Sequence, residues 1–556
     1  MRRRFRILSA VFVAGVAGVW FAIPPQPQRL AAPTESGIRG AMHIHTKRSD
    51  GSGTPEQVAA AAARAGLQFI VLTDHGDGSV RTPSRPAYQS GVLVVDAVEI
   101  SGDDGHVVAL GLGKTPYPLG GEVRDIVEDV ARMGGMPIAA HPGSAKLNLR
   151  WTEWTSAFSG LEWLNGDSEY RDEGWSIART LLTYPFRAAP SLARMLDRPE
   201  AILRRWDELT ARRRMVGLAG TDAHARLDVR GDESGGRLAM LPIPGYEPMF
   251  RTFSMTAPGI TLTRDAEQDA AALLDAIRQG RVYTSIDALA APAAVSFSAV
   301  RGDVAWAMGD FVPPVDGDIE LRVDSNAPAN STIVLMKNGE PATSATGRTL
   351  RQIVPASPAV YRVEIQVRGA PGKPPVPWVI TNPIYVRAQD ESPVPRNDPA
   401  ETASQYDNGE AHGWRMETSP RSKSALNVVR TLTGTELLLR WAIGGTKEES
   451  PYVAFAMPAG ASIAAHDRLM FTSRADRPMR LSVQFRLANG DRWRRSIYLD
   501  ETSRQISVFF NDVRPVGVAG NLPLNSVRDV LFVVDTVNAN PGAAGQFWID
   551  DVKYGR

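Results

Sequence analysis

The chain has 556 residues, 43% hydrophobic and 22% charged, with a formal net charge of +1 at pH 7. At about 150 residues per domain this length predicts three or four globular domains, and the balanced charge gives no whole-chain field favouring nucleic acid or an anionic membrane. Cysteine is absent, which excludes disulfides, thiolate nucleophiles and cysteine-ligated zinc, so any metal must be held by His, Asp and Glu.

Arg2, Arg3, Arg4 and Arg6 precede a largely apolar run over 7–23, which Pro24 and Pro25 end. The run is long for a signal-peptide core and at the short limit for a membrane-spanning helix. Residues 1–25 are therefore expected to form a signal-anchor, with the arginines in the cytoplasm and the rest of the chain outside. The expected location is exported, anchored in the inner membrane and facing the periplasm or the exterior. A cleaved signal peptide and secretion is the alternative, although Leu30-Ala31-Ala32 puts a large residue where cleavage wants a small one.

From 37 to 290, apolar β-rich runs (69–72, 93–95, 136–140) alternate with helical stretches (58–65, 123–133), and a helix over 270–279 closes the region before Gly280. That alternation predicts a parallel α/β domain. From 292 to 388 the text changes to short alternating runs, such as 319–323 and 360–365, separated by Gly, Asn and Pro; it reads as an immunoglobulin-sized β-sandwich. A polar linker over 389–403 follows. The last region, 404–556, again reads as short alternating strands and predicts a second sandwich, a jelly roll. Its terminal Phe547-Trp548-Ile549-Asp550-Asp551-Val552 resembles the last strand of galactose-binding-like and carbohydrate-binding domains. Trp414, Tyr452, Trp493 and Tyr498 are candidate platforms for a glycan, or sandwich core.

Six of the eight histidines fall between residues 43 and 224. In His43-Ile44-His45 the two imidazoles stand at i and i+2, on one face of a strand, so both can reach a single metal. Asp222-Ala223-His224 repeats the device with a carboxylate and an imidazole. His75, Glu99 and His141 each follow an apolar run, at strand ends, where α/β barrels gather catalytic residues. A lone histidine at a strand end is more often structural; the ordered set is what points to a site.

His43-Ile44-His45-Thr46-Lys47-Arg48-Ser49-Asp50-Gly51 with Thr54-Pro55-Glu56, and Leu72-Thr73-Asp74-His75, resemble the first two motifs of the PHP (polymerase and histidinol phosphatase) family. Glu99 with Gly105-His106-Val107-Val108-Ala109-Leu110-Gly111, Ala140-His141-Pro142, and Gly220-Thr221-Asp222-Ala223-His224 resemble the remaining three. The resemblance covers roughly residues 40–290. It implies a distorted (β/α)7 TIM-like barrel, followed in this chain by the two all-β sandwiches. It also implies two to three divalent ions held by His43, His45, Asp50, His75, Glu99, His106, His141, Asp222 and His224, with Glu99 bridging two of them.

Imidazole with carboxylate suits Zn, Mn or Fe. Such metals, close together, generate a hydroxide near neutral pH and polarise phosphoryl oxygens, so no serine or cysteine nucleophile is required. Lys47, Arg48 and Arg226, beside the ligand motifs, are candidates to clamp the phosphate. The expected activity is hydrolysis of a phosphomonoester, a nucleotide or the 5′ end of a short oligonucleotide. The competing expectation is a cell-surface glycan-binding protein on an inactive PHP scaffold.

Overall fold

The computed structural model describes residues 22–31, 37–79, 84–171, 176–230, 237–241, 243–388, 399–432 and 434–556. The chain divides into two compact units: residues 1–77, 81–113 and 122–391 form the first, and residues 78–80, 114–121 and 392–556 the second.

In the first unit, β1 (Gly37–Ile44) leads through a loop into α1 (Pro55–Ala65). Thr54 caps this helix in a reciprocal box with Gln57, Pro55 opens it, and Gly66 ends it at a left-handed φ of 76°. Then come β2 (Phe69–Leu72), β3 (Val92–Asp96), β4 (Val98–Gly102), β5 (Gly105–Leu110), α2 (Val123–Arg132), β6 (Met136–Ala140) and β7 (Gly160–Asn165). The series continues with α3 (Glu200–Thr210), β8 (Val216–Ala223), β9 (Ser254–Pro258), α4 (Ala266–Arg278) and β10 (Tyr283–Ser285).

These strands belong to one closed sheet. Strands β6, β7, β8, β1, β2 and β3 pair in parallel in that order. They are buried along nearly their whole length, which is why they read as continuous apolar runs rather than as alternating ones. Their inward side chains, among them Met42, Phe69, Val71, Leu93, Ile138 and Leu218, form one core cluster.

The expected α/β (β/α)7 barrel is not what the chain builds. Strand accounts for 42% of the chain and helix for 16%, and the closed sheet is mixed. β5 runs antiparallel to both β4 and β6, and β9 is antiparallel to β1. The local cause is legible. Gly102-Asp103-Asp104-Gly105 makes a tight turn that joins β4 to β5 as a hairpin, with no room for a crossover helix. Between β6 and β7 the chain runs through an irregular Trp- and Ser-containing segment, again without a helix. The sheet also extends beyond residue 292. β10 pairs with β12 (Val379–Thr381), which pairs with β11 (Ala359–Gln366).

The second unit holds two six-stranded sheets around a core that includes Leu439, Phe455, Phe471, Leu481, Phe532 and Phe547. Of the four candidate glycan platforms, Trp493 is core, at 4% exposure. Trp414 stacks on Phe532 with ring centroids 5.6 Å apart, and Tyr452 packs against Ala454, Ala456, Leu531 and Val533. Tyr498 faces the ring of Tyr117 at 6.5 Å.

The expected membrane anchoring is also corrected. No helix among the described residues is long and apolar enough to cross a membrane. The 13 residues of α4 span about 20 Å, against the roughly 30 Å of a hydrocarbon core. Residues 1–21, most of the run assigned to the anchor, lie outside the described residues.

Candidate metal centre

The nine side chains singled out in the sequence converge in the first unit. They form four overlapping groups whose ligand atoms lie within 4.8 Å of one another: His43 with Glu99 and His141; His43 with His45 and Asp222; His75 with Glu99 and His106; and His45 with Asp50, His75 and His224. Glu99, only 1% exposed, sits at the centre. One of its carboxylate oxygens lies 3.3, 3.2 and 3.3 Å from nitrogens of His43, His45 and His75. The other lies 2.8 and 2.9 Å from His106 Nδ1 and His141 Nε2. Asp222 Oδ1 faces His43 and His45 at 3.5 and 3.3 Å, and Asp50 Oδ2 faces His224 Nε2 at 3.2 Å.

The backbone is bent to bring this about. His43, His141 and Asp222 take positive φ values of 60°, 31° and 48°, a region costly for residues with a Cβ and typical of functional sites held by their surroundings. Register does the rest. β8 lies alongside β1, with Ala223 opposite Ile44, so the Asp-Ala-His and His-Ile-His segments end side by side. Asp50 is delivered by a turn in which Gly51 has no substitute, since a Cβ there would lie 2.2 Å from the carbonyl oxygen of His45. The buried carboxylate of Asp74 fixes that turn, accepting from Thr46 N at 2.7 Å, Thr46 Oγ1 at 2.8 Å and Ser49 Oγ at 2.7 Å.

Burial opposes charge on the groups whose titration is displaced, and for all of them but His75 opposite charges prevail. Desolvation disfavours protonated His43, but Glu162, Asp222 and Glu99 hold its pKa well above the ordinary value. His45 is pushed up to about 10 by Asp222 and Glu99 against the same desolvation. Glu99 and Asp222 are held well below the carboxylate range, because His43 and the other imidazoles outweigh their burial. His75 goes the other way: desolvation dominates and lowers it.

Metal ions fit this arrangement. His43 Nε2 and both nitrogens of His45 are buried with no hydrogen-bond partner, a costly condition for polar atoms that a cation between the imidazoles and carboxylates relieves. All nine residues are His, Asp or Glu, the donor set that suits Zn, Mn or Fe.

Sequence reasoning missed Glu162. On β7, 1% exposed, it holds His43 Nδ1 at 2.6 Å, His141 N at 2.7 Å and Asn165 Nδ2 at 2.8 Å. It thus braces two ligand strands from a third. The available signal was a carboxylate inside the apolar run Leu161-Glu162-Trp163-Leu164, with Gly220 two residues before Asp222. A Cβ at Gly220 would stand 2.0 Å from Glu162 Oε1.

The candidate phosphate clamps are placed unequally. Arg226 reaches the Asp50 carbonyl at 3.0 Å, at the edge of the ligand set. Arg48 is held by Asp96 at 2.7 Å. Lys47 is exposed.

No protein-family profile matches the chain, and no curated protein matches it. Among solved structures, the chain is similar to the family 11 carbohydrate-binding module of a cellulosomal cellulase of Clostridium thermocellum. That match has 18% identity and a TM-score of 0.24, over 28% of this chain and 95% of that one. A family 29 carbohydrate-binding module matches with 11% identity and a TM-score of 0.19, over 28% and 92%. An exo-beta-agarase matches with 12% identity and a TM-score of 0.21, over 28% and 25%.

Proposed function

We propose that the chain is a metal-dependent hydrolase of phosphate esters, working at the centre between His43 and His224. The observation that carries the reading is the convergence of nine His, Asp and Glu side chains, with three buried nitrogens of His43 and His45 making no hydrogen bond. Two or three divalent cations in such a centre supply an activated water and polarise the phosphoryl oxygens. The chain's own residues do the rest. Glu99 and Asp222 place negative charge between the imidazoles, Glu162 orients His43, and Asp50 is held by its turn opposite His224. Arg226 reaches the carbonyl of Asp50, itself a candidate ligand. The PHP-like motifs support the same reaction class.

The test is metal analysis of the full chain beside its turnover of an aryl phosphomonoester with Mn or Zn supplied. Bound metal, with turnover that disappears in Asp222→Ala, supports the reading. Protein that binds no metal and stays inactive after reconstitution rejects it.

A second reading gives the C-terminal unit a glycan partner. Its candidate contact residue is Trp548, half-buried on the last strand, one face of whose ring is covered by the Arg474 guanidinium at 4.4 Å. Titration with soluble polysaccharides separates the two: glycan binding without hydrolysis would favour this one.

A further inference from the structure

Beside the metal centre lies a cavity of about 300 Å³, at the small end of the range for small-molecule sites, roughly 300–1,000 Å³. It shares a wall with the centre, since its lining includes His141, a candidate ligand, and Glu162, which holds His43. Pro142, Pro199 and Ile202 give it apolar surface, and Asn165, Ser168, Glu169 and Asp197 give it polar groups.

The polar lining is rich in acceptors, and its one arginine is committed. Glu162 is engaged by His43 and the His141 amide, and Glu169 accepts from the Asp197 amide at 2.8 Å. Arg198 is already committed, to Glu364 at 2.5 and 2.9 Å and to Glu200 at 2.7 Å. Hydroxyl groups, which donate, complement such walls. A phosphodiester backbone, which only accepts and carries charge, finds no uncommitted guanidinium there.

We propose that this cavity seats the alcohol half of the ester, and that the alcohol is a neutral, polyhydroxylated group of monosaccharide size rather than a nucleic-acid strand. The inference rests on the phosphoesterase reading. In the reaction the water oxygen bonds to phosphorus, the bond from phosphorus to the ester oxygen breaks, and that oxygen takes a proton from the water and leaves as the free alcohol. Small size, apolar floor and acceptor-rich rim then decide which alcohols fit next to the phosphoryl group.

The experiment uses the metal-loaded full chain and compares kcat/KM on a hexose phosphomonoester, an aryl phosphomonoester and a 5′-phosphorylated oligonucleotide. The hexose ester is expected to exceed the oligonucleotide by at least about tenfold. In Asp197→Ala the hexose-to-aryl selectivity ratio is expected to fall by about tenfold or more, the effect of one lost hydrogen bond to a charged group, with metal content unchanged. Ser168→Ala, a smaller change, should shift the ratio in the same direction. A preferred oligonucleotide, or a ratio that neither variant moves, overturns the cavity inference while leaving the phosphoesterase reading intact. Failure to turn over any of the three esters with metal bound overturns both.

Discussion

Oε1 of Glu162 lies 2.6 Å from Nδ1 of His43, with both side chains fully buried. With its proton on Nδ1 donated to this carboxylate, the His43 ring turns Nε2 toward Glu99 and Asp222, 3.3 and 3.5 Å away. Partners of this kind fix the tautomer and orientation of a metal-binding imidazole and raise its basicity. Glu162→Gln keeps the shape but cannot accept from both the His43 ring and the His141 amide. Metal affinity is expected to fall about 10–100-fold, with the circular dichroism spectrum retained. Unchanged affinity by competition with a chelating dye would show that Glu162 is there only for packing.

Gly220 offers an independent way to disturb the same contact. A methyl group there would sit 2.0 Å from Glu162 Oε1, and the carboxylate would have to move off His43. Gly220→Ala should therefore weaken metal binding as Glu162→Gln does. It should also lower stability by about 1–3 kcal/mol, as overpacking of a tight interior does. A variant as stable as the parent and equally loaded with metal would mean that the strand yields at no cost.

The titration of the centre predicts how stability changes with pH when metal is stripped. His45 is raised to about 10, and His43, His141 and His224 move in the same direction. A raised histidine stabilises the fold below its unfolded pKa of about 6.5, and that contribution is lost as pH rises through the folded value. Glu99 and Asp222, held low, contribute at all pH values above about 4, and their contribution is lost only in strong acid. The metal-free protein is thus expected to lose thermal stability between about pH 6.5 and 10. Metal displaces the same protons, so the Tm gained on adding Zn or Mn should widen over that interval. A metal-free Tm that holds steady, or a gain that narrows with pH, would contradict the assignment.

The sequence made most of the candidate set legible because those residues stand in recognisable local patterns: His-x-His and Asp-x-His on strands, or an imidazole closing an apolar run. Glu162 carried no such pattern. Its partner His43 lies 119 positions away, and only the fold juxtaposes them. The runs at 69–72 and 136–140 are strands, as read. The parallel α/β domain read from their alternation with helices, and the barrel implied by the PHP resemblance, fail at β4 and β5, where two glycines around Asp103-Asp104 make a hairpin instead of a crossover. Arg48 looked like a phosphate clamp by proximity in sequence; the carboxylate that holds it, Asp96, ends β3.

The last prediction concerns how the strands beyond residue 292 support the site. Arg362 on β11, 2% exposed, makes paired bonds of 2.9 Å to the carboxylate of Asp207 on α3 and a bond of 2.5 Å to Glu364. Glu364 in turn holds Arg198, which lines the cavity beside His141. Asn382 reaches the amide and carbonyl of Gly217 on β8 at 2.8 and 3.0 Å, on the strand that carries Asp222. Removing one partner of a buried ion pair leaves the others uncompensated and costs about 3–5 kcal/mol. Arg362→Met should therefore lower stability by that order in chemical unfolding. Because no metal ligand is touched, the folded fraction should bind metal as the parent does, while selectivity among esters changes through the displaced Arg198. Full stability in this variant would mean that the Arg362 pairs do not support the sheet that carries the candidate site.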